Sequence, residues 1–260
     1  MQGEFFMFCV LNVKTKEKTF FEKIFGFIIK DEYNLKTVPV YKGAPFFMLD
    51  VSVGKRGISW EKVVSQVGRC ALRMVSTDCV DLPENMNVGL FESNALYDKM
   101  IKNTFLRIIS NNTGKKPVSI WISDEYGKYT EFTKKLSKYA SSLEISTSQK
   151  EKYHSVCEEI TEDIGLCPVL TSDNTGAIVR INASNNVMTI VCEKENLNIS
   201  CGCDFTVPQI YEKLLPERIE KYSFYSALYE LCGVFSLGDC IFDVITVNKE
   251  KKCVKDIHFS

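Results

Sequence analysis

The spacing of apolar and polar positions changes along this chain, and each change marks a different kind of structure. From Glu4 to Val53 the apolar stretches have strand length: Glu4–Val13, Phe20–Ile29, Leu35–Tyr41 and Phe46–Val53. Gly, Lys, Asn and Asp residues separate them, as turns require. The pattern predicts a small antiparallel sheet, a meander. Trp60–Val75 then reads as a helix, because Val63, Val64, Val67, Ala71 and Leu72 recur at spacings of three and four behind an N-cap candidate, Ser59. Leu82–Asn87 is a loop around a proline. Ala95–Ser110 is a second helix, stopped by the run from Asn111 to Pro117, the clearest break in the chain.

Beyond Pro117 strands and helices alternate. Val118–Ile122 is a short apolar strand, Tyr129–Tyr139 a helix with Phe132 and Leu136 on one face, and Leu143–Ser146 a strand. Glu151–Ile164 is a helix with Val156, Ile160 and Ile164 at helical spacing and Gly165 as its cap. Pro168–Leu170 opens a third strand. Strands alternating with helices of this length pair in parallel through right-handed crossovers. The alternation ends there. Ala177–Asn182, Val187–Cys192 and Leu197–Cys203 read as consecutive strands, Val207–Leu231 as helix divided at Pro216, and Cys240–Val247 with Cys253–Phe259 as a hairpin.

The expected fold is therefore mixed α/β. A Rossmann-like three-strand parallel β-α-β-α-β unit is flanked by antiparallel strands and helices. Residues 1–114 form an N-terminal α+β region, and residues 115–260 hold the parallel unit, a strand meander, helices and the C-terminal hairpin.

Composition narrows the function classes. The chain has 260 residues, 45% hydrophobic and 25% charged, as in an ordinary globular protein. Net charge is −1, without the basic excess or stripe of a nucleic-acid binder. The apolar run near Met1 lacks the basic segment and cleavage site of a signal peptide and is too short to span a bilayer. A soluble, cytoplasmic protein is expected, so the Asn-x-Ser/Thr sites at Asn111, Asn182 and Asn198 carry no glycan. The eleven cysteines, an odd number scattered through apolar segments, read as reduced thiols acting as small buried hydrophobes.

Open parallel sheets take ligands at the carboxyl ends of their strands. In the predicted unit those ends are Ser123-Asp124-Glu125-Tyr126-Gly127-Lys128, then Ser146 to Lys150, then Thr171 to Gly176. The binding candidates are Ser123, Asp124, Gly127, Thr147, Ser148, Lys150, Thr171, Ser172 and Asp173. Their hydroxyls, backbone N–H groups and a helix N-terminus would receive a nucleotide or a phosphorylated small molecule. Hydroxyls with a cation after the second strand suit a 2′-phosphate better than a bare ribose. Against this, the first turn has one glycine, Gly127, where a dinucleotide fingerprint has three, and Asp124 and Glu125 repel a pyrophosphate. Polar helix caps are the alternative account of the same residues.

Other chemistry is sparse. Cys201 and Cys203 lie two apart on a strand with Cys192 across a hairpin, but neither a Cys-x-x-Cys pair nor a spaced His completes a zinc set, and buried thiols account for them better. His154 and His258 have no nucleophile nearby in sequence and read as structural. Asp124 and Asp173 could form a carboxylate pair, though caps and turns use Asp routinely. Tyr222, Tyr225 and Tyr229 form a helical stripe flanked by Phe224, which reads as core or as a homodimer face. Two functions stand: a protein binding a nucleotide-like small molecule at the strand ends, or a non-catalytic interaction or scaffolding protein. No specific cofactor or reaction is indicated.

Overall fold

The computed structural model describes residues 8–15, 31–53, 57–76, 80–114, 116–171 and 176–259. Their contacts divide into two compact units. The first comprises the described residues up to Leu96 together with Val207–Gly238; the second comprises Tyr97–Thr206 and the described residues from Asp239 onward. Neither unit is one continuous stretch of chain, whereas the sequence pattern suggested a single cut after residue 114.

The first unit is built on a four-stranded sheet of β1 (Cys9–Thr15), β2 (Glu32–Val38), β3 (Phe46–Val53) and β4 (Met74–Ser76), in the order β2-β3-β1-β4. The predicted antiparallel meander is corrected here. Only β2 and β3 run antiparallel, while β1 lies parallel to both β3 and β4. The reason is legible in burial. Cys9, Val10 and Leu11 are all buried in succession, as a central strand covered on both faces must be. The edge strand β2 alternates half-buried and exposed positions. The predicted strand over Phe20–Ile29, and the Glu4–Met7 part of the first one, lie outside the described residues.

Helix α1 (Trp60–Val67) is shorter than its spacing predicted. Gly68, at φ 57°, stops it, and the apolar rhythm runs on through a 3₁₀ turn (Gly68–Leu72) into β4. Val63 and Val67 of α1 pack with Cys9, Leu11, Leu49, Val51 and Met74. Phe8 stacks on Phe46 at 5.0 Å between ring centres, and Phe224 meets Phe46 edge-on at 5.5 Å.

The second unit carries an eight-stranded sheet. Its parallel half is β5 (Val118–Ser123), β6 (Ala140–Ser146), β7 (Val169–Leu170) and β8 (Val179–Asn182), with α3 (Thr130–Ser137) and α4 (Lys150–Ile164) as crossovers. The expected β-α-β-α-β unit is present, and helix α4 ends at Gly165 as predicted. One element exceeds the expectation. Strand β8 leaves the β7 side of the sheet and pairs parallel to β5 on its other edge, making a fourth parallel strand. From β8 the sheet continues antiparallel through β9 (Val187–Ile190), β10 (Leu197–Phe205), β11 (Phe242–Val247) and β12 (Glu250–Cys253).

The C-terminal hairpin is tighter than expected. Asn248 and Lys249, both at positive φ, form its two-residue turn, so Glu250–Cys253 is strand and Val254–Asp256 a 3₁₀ turn. Helix α2 (Ala95–Thr113) lies in the second unit from Tyr97 onward. The region over Val207–Leu231 contains α5 (Gln209–Glu212) and α6 (Lys221–Glu230), with Pro216 between them as anticipated.

Candidate functional site

In the sheet of the second unit, the chain goes from β5 toward β6 on one side and returns to β8 on the other. The strand ends of β5 and β8 therefore form the topological switch point where open α/β sheets receive ligands. Most of the predicted binding residues lie along this edge, and the structure shows how each is used.

Asp124 is fully buried. One carboxylate oxygen accepts the Lys128 N–H at 3.1 Å; the other accepts the Tyr129 N–H at 2.7 Å and the Tyr153 hydroxyl at 2.8 Å. Its own N–H donates to the Ser146 carbonyl at 2.9 Å. The carboxylate thus folds the loop after β5 back on itself and ties it to α4. Burial, joined by the negative charge of Asp124, pushes the Tyr153 phenol well above its ordinary pKa, so Tyr153 remains a hydrogen-bond donor.

The loops after β5 and β6 are laced together. Ser148 donates to the Glu125 carbonyl from both its hydroxyl, at 2.5 Å, and its N–H, at 3.3 Å. Lys152 donates its ammonium to the Gly127 carbonyl. Gly127 sits at φ 60°, and a Cβ there would come 3.1 Å from the Gln149 Cβ, so a side chain would both strain the turn and part the two loops. Thr147 accepts the Gln149 N–H at 3.0 Å. The Ser123 carbonyl accepts the Ala183 N–H at 2.9 Å, and the Thr171 N–H donates to Ile145. Lys150 opens α4 and is exposed. Ser172 and Asp173 lie outside the described residues, and so does the proposed Asp124–Asp173 pair.

A polar cluster that sequence reasoning missed lies at the same edge. Lys102 of α2 is buried, 3.2 Å from Asp98 and 2.8 Å from the Asn186 side-chain oxygen, with its ammonium 3.7 Å from the centre of the Tyr129 ring. Asp98 also accepts the Tyr129 hydroxyl at 2.9 Å and the Asn186 amide at 2.8 Å. Burial lowers the Lys102 pKa, and the Asp98 carboxylate opposes that. Burial, with Asp98 beside it, raises that of Tyr129. The one sequence signal was the Asp98–Lys102 spacing of four on a helix; nothing joined it to Asn186. A lysine with a depressed pKa is the kind used for Schiff-base chemistry, yet here every donor direction meets a protein group.

No family model matches the chain, and no curated protein matches it. Among solved structures, L-tryptophan dehydrogenase from Nostoc punctiforme is similar over 53% of this chain and 44% of its own, at 10% identity and a TM-score of 0.27. This chain thus spans less than half the length of that enzyme, and the likeness assigns neither ligand nor reaction.

The remaining candidates separate. Cys167, Cys201 and Cys203 are exposed, which corrects the reading of the thiols as uniformly buried; among the described cysteines, Cys9 and Cys232 are buried. Among the described residues no three His, Cys, Asp or Glu side chains are grouped to hold a metal ion. Within the aromatic stripe of α6, Tyr225 and the flanking Phe224 are fully buried, whereas Tyr222 and Tyr229 are half-buried, and Tyr222 donates its hydroxyl to the Ser93 carbonyl at 3.0 Å. No helix among the described residues is long and apolar enough to cross a membrane.

Proposed function

We propose that this chain is a non-catalytic interaction or scaffolding protein whose parallel unit serves as a rigid support. The observation that carries this reading is the lacing of the strand-end loops. A nucleotide at a switch point needs free N–H groups and hydroxyls facing the crevice. Here Asp124, Gly127, Thr147 and Ser148 are all engaged with neighbouring loop or helix groups. A ligand would have to break those bonds, and each buried polar group left unpaired costs roughly 1–3 kcal/mol. The homodimer through α6 has less to draw on, since Tyr225 and Phe224 of the stripe are buried within the first unit.

One observation favours the rival reading, a phosphorylated or nucleotide-like ligand at this edge. Helix α4 has no side-chain cap at Gln149, and Lys150 is exposed beside that terminus. A single experiment separates the two. The support reading expects no change in melting temperature with millimolar NADP, NAD, ATP or S-adenosylmethionine, and slow hydrogen exchange at the Lys128, Tyr129 and Ser148 amides in the free protein. A saturable rise in melting temperature, removed by Lys150→Ala, would overturn it in favour of the nucleotide site.

A further inference from the structure

The cysteines on and around β10 do not assemble as a zinc set. Leu197 pairs with Ile190, so Cys192 lies beyond that pair, at the opposite end of β10 from Cys201. Cys201 and Cys203 remain, both exposed. Among the described residues no third His, Cys, Asp or Glu is grouped with them to hold a metal ion. Zinc, which takes four ligands, does not fit such a pair.

The strand pairing gathers the two thiols. Cys201 stands opposite Thr246 of β11, and directly opposed residues share a face of the sheet. The Cys203 sulfur lies 3.2 Å from the Thr246 hydroxyl. Both cysteines therefore converge on one side chain. Pairing with β11 shifts register on either side of Cys201 and Gly202, and bulges of this kind re-aim side chains. Strand β9 pairs with β10 only as far as Ile199; past that point the Gly202 N–H donates to the Tyr97 hydroxyl at 3.0 Å. The same phenol hydrogen-bonds the Cys201 side chain. Each sulfur thus has beside it a hydroxyl able to donate to a thiolate. Lys251 of β12 stands opposite Thr246 and adds a positive charge that favours the thiolate form.

We infer that Cys201 and Cys203 form a two-thiolate site for monovalent copper, with Thr246 and Tyr97 donating hydrogen bonds to the ligating sulfurs. Ligand number and softness select the ion. Thiolates favour Cu(I), which is satisfied by two ligands in line. The nearby Asp204 is a hard oxygen ligand and accepts the Phe205 N–H at 2.8 Å. Strand residues two apart have Cα atoms roughly 6.5 Å apart, near the ~6.8 Å limit of a disulfide; an ion held between the sulfurs suits that span. On binding, both thiols release their protons to water as two S–Cu bonds form, and the copper stays monovalent. The site lies on the β10–β11 pair, away from the strand-end loops, so its failure would leave the reading of those loops intact.

The test is anaerobic titration of the reduced full chain with Cu(I) against the chelator bathocuproine disulfonate, followed by thiolate-to-copper absorption in the ultraviolet. One tightly held copper per chain is expected, undisplaced by equimolar Zn(II). Cys201→Ser and Cys203→Ser should each weaken binding at least 10-fold, whereas Cys167→Ser, which removes another exposed thiol of the same unit, should leave it unchanged. Thr246→Val should weaken binding several-fold at unchanged stoichiometry, because the thiolate of Cys203 loses its donor. Failure to withdraw copper from the chelator overturns the site. So does equal loss with Cys167→Ser, which marks scattered thiols, and so does unaltered affinity in Thr246→Val, which reduces the pair to two adventitious ligands.

Discussion

The ammonium of Lys102 lies 3.7 Å from the centre of the Tyr129 ring, and one aspartate, Asp98, holds both side chains. The ring faces the cation with its negative face while the hydroxyl donates away from it to the carboxylate. Two separable interactions thus fix the loop after β5 to helix α2. Tyr129→Phe removes only the bond to Asp98 and should cost about 1–2 kcal/mol. Tyr129→Leu removes the ring as well and should cost about 1–2 kcal/mol more, the range for a desolvated cation–π contact. Lys102→Met leaves Asp98 about a third exposed and free to rehydrate. Its cost should therefore fall below the ~3–5 kcal/mol of breaking a fully buried pair. Urea unfolding of the three variants checks the order; equal stability of the Phe and Leu variants would remove the cation–π contact from the account.

The same edge predicts how stability responds to alkali. Tyr129 and Tyr153 both have raised pKa values in the folded protein, chiefly through burial. Below pH ~10, the ordinary tyrosine value, folded and unfolded chains both keep these protons and the tyrosines' share of the stability is intact. Above it the unfolded chain releases protons that the folded chain retains, so stability falls by up to about 1.4 kcal/mol per pH unit for each tyrosine. Lys102 acts oppositely: its folded pKa is lowered, so rising pH toward ~10.4 relieves the cost of burying its charge. Melting temperature should thus begin to decline above about pH 8.5, where unfolded thiols ionise before the buried Cys9 and Cys232 do, and fall more steeply above about pH 10, where Tyr153→Phe should flatten the decline. A decline of unchanged slope in the variant would assign the alkaline limb to other groups.

Thiol reactivity should divide into two kinetic classes. Burial pushes the thiols of Cys9 and Cys232 up to about 12, so at pH 8 only about one in ten thousand is thiolate, the reactive form. Cys167, Cys201 and Cys203 are exposed. An aromatic disulfide reagent should modify these three within the first phase, and Cys9 and Cys232 only at the rate of unfolding. Mass mapping of the labelled peptides checks the assignment. Early labelling of Cys232 would mean that the segment around α6 opens locally well before the unit unfolds.

How much of this was legible in the sequence depends on whether a feature is local. The parallel unit was readable because Ile120, Ile122 and Ile145 sit in short apolar runs and Tyr153, Val156 and Ile160 repeat at helical spacing. The parallel place of β8 was not readable, because four residues, Val-Arg-Ile-Asn, carry no mark of direction. Nor was the centre of the first sheet, whose β1 pairs with strands far along the chain. At the strand ends the residue types could be read from the sequence, but their hydrogen-bond partners could not. Hydroxyls at a carboxyl edge look the same in sequence whether they face a ligand or, like Ser148, bond the neighbouring loop. The Lys102–Asn186 contact spans 84 positions and joins two residue types that are ordinarily solvated.

A tight steric constraint lies at Gly202, in the irregular part of β10 where pairing with β11 shifts register on both sides. A Cβ there would fall 2.3 Å from the ring atoms of Phe242, far inside any permitted contact. The ring has little room to withdraw. It lies 5.2 Å from the Tyr97 ring and 5.8 Å from the Phe205 ring, and its own backbone N–H donates to the buried Thr104 hydroxyl at 2.9 Å. The Gly202 N–H, in turn, donates to the Tyr97 hydroxyl at 3.0 Å, which fixes the backbone from the other side. Overpacking of a held site costs roughly 1–3 kcal/mol or more, so Gly202→Ala should lower the unfolding free energy by at least that range. Phe242→Leu alone should also destabilise, by the loss of ring contacts. Combined, the two should cost less than their sum, because the smaller side chain vacates the space the new methyl needs. A double-mutant cycle in urea measures this directly. Strict additivity would mean that the clash is relieved by backbone movement of β10 rather than by the ring, and that the bulge, not Phe242, sets the requirement for glycine.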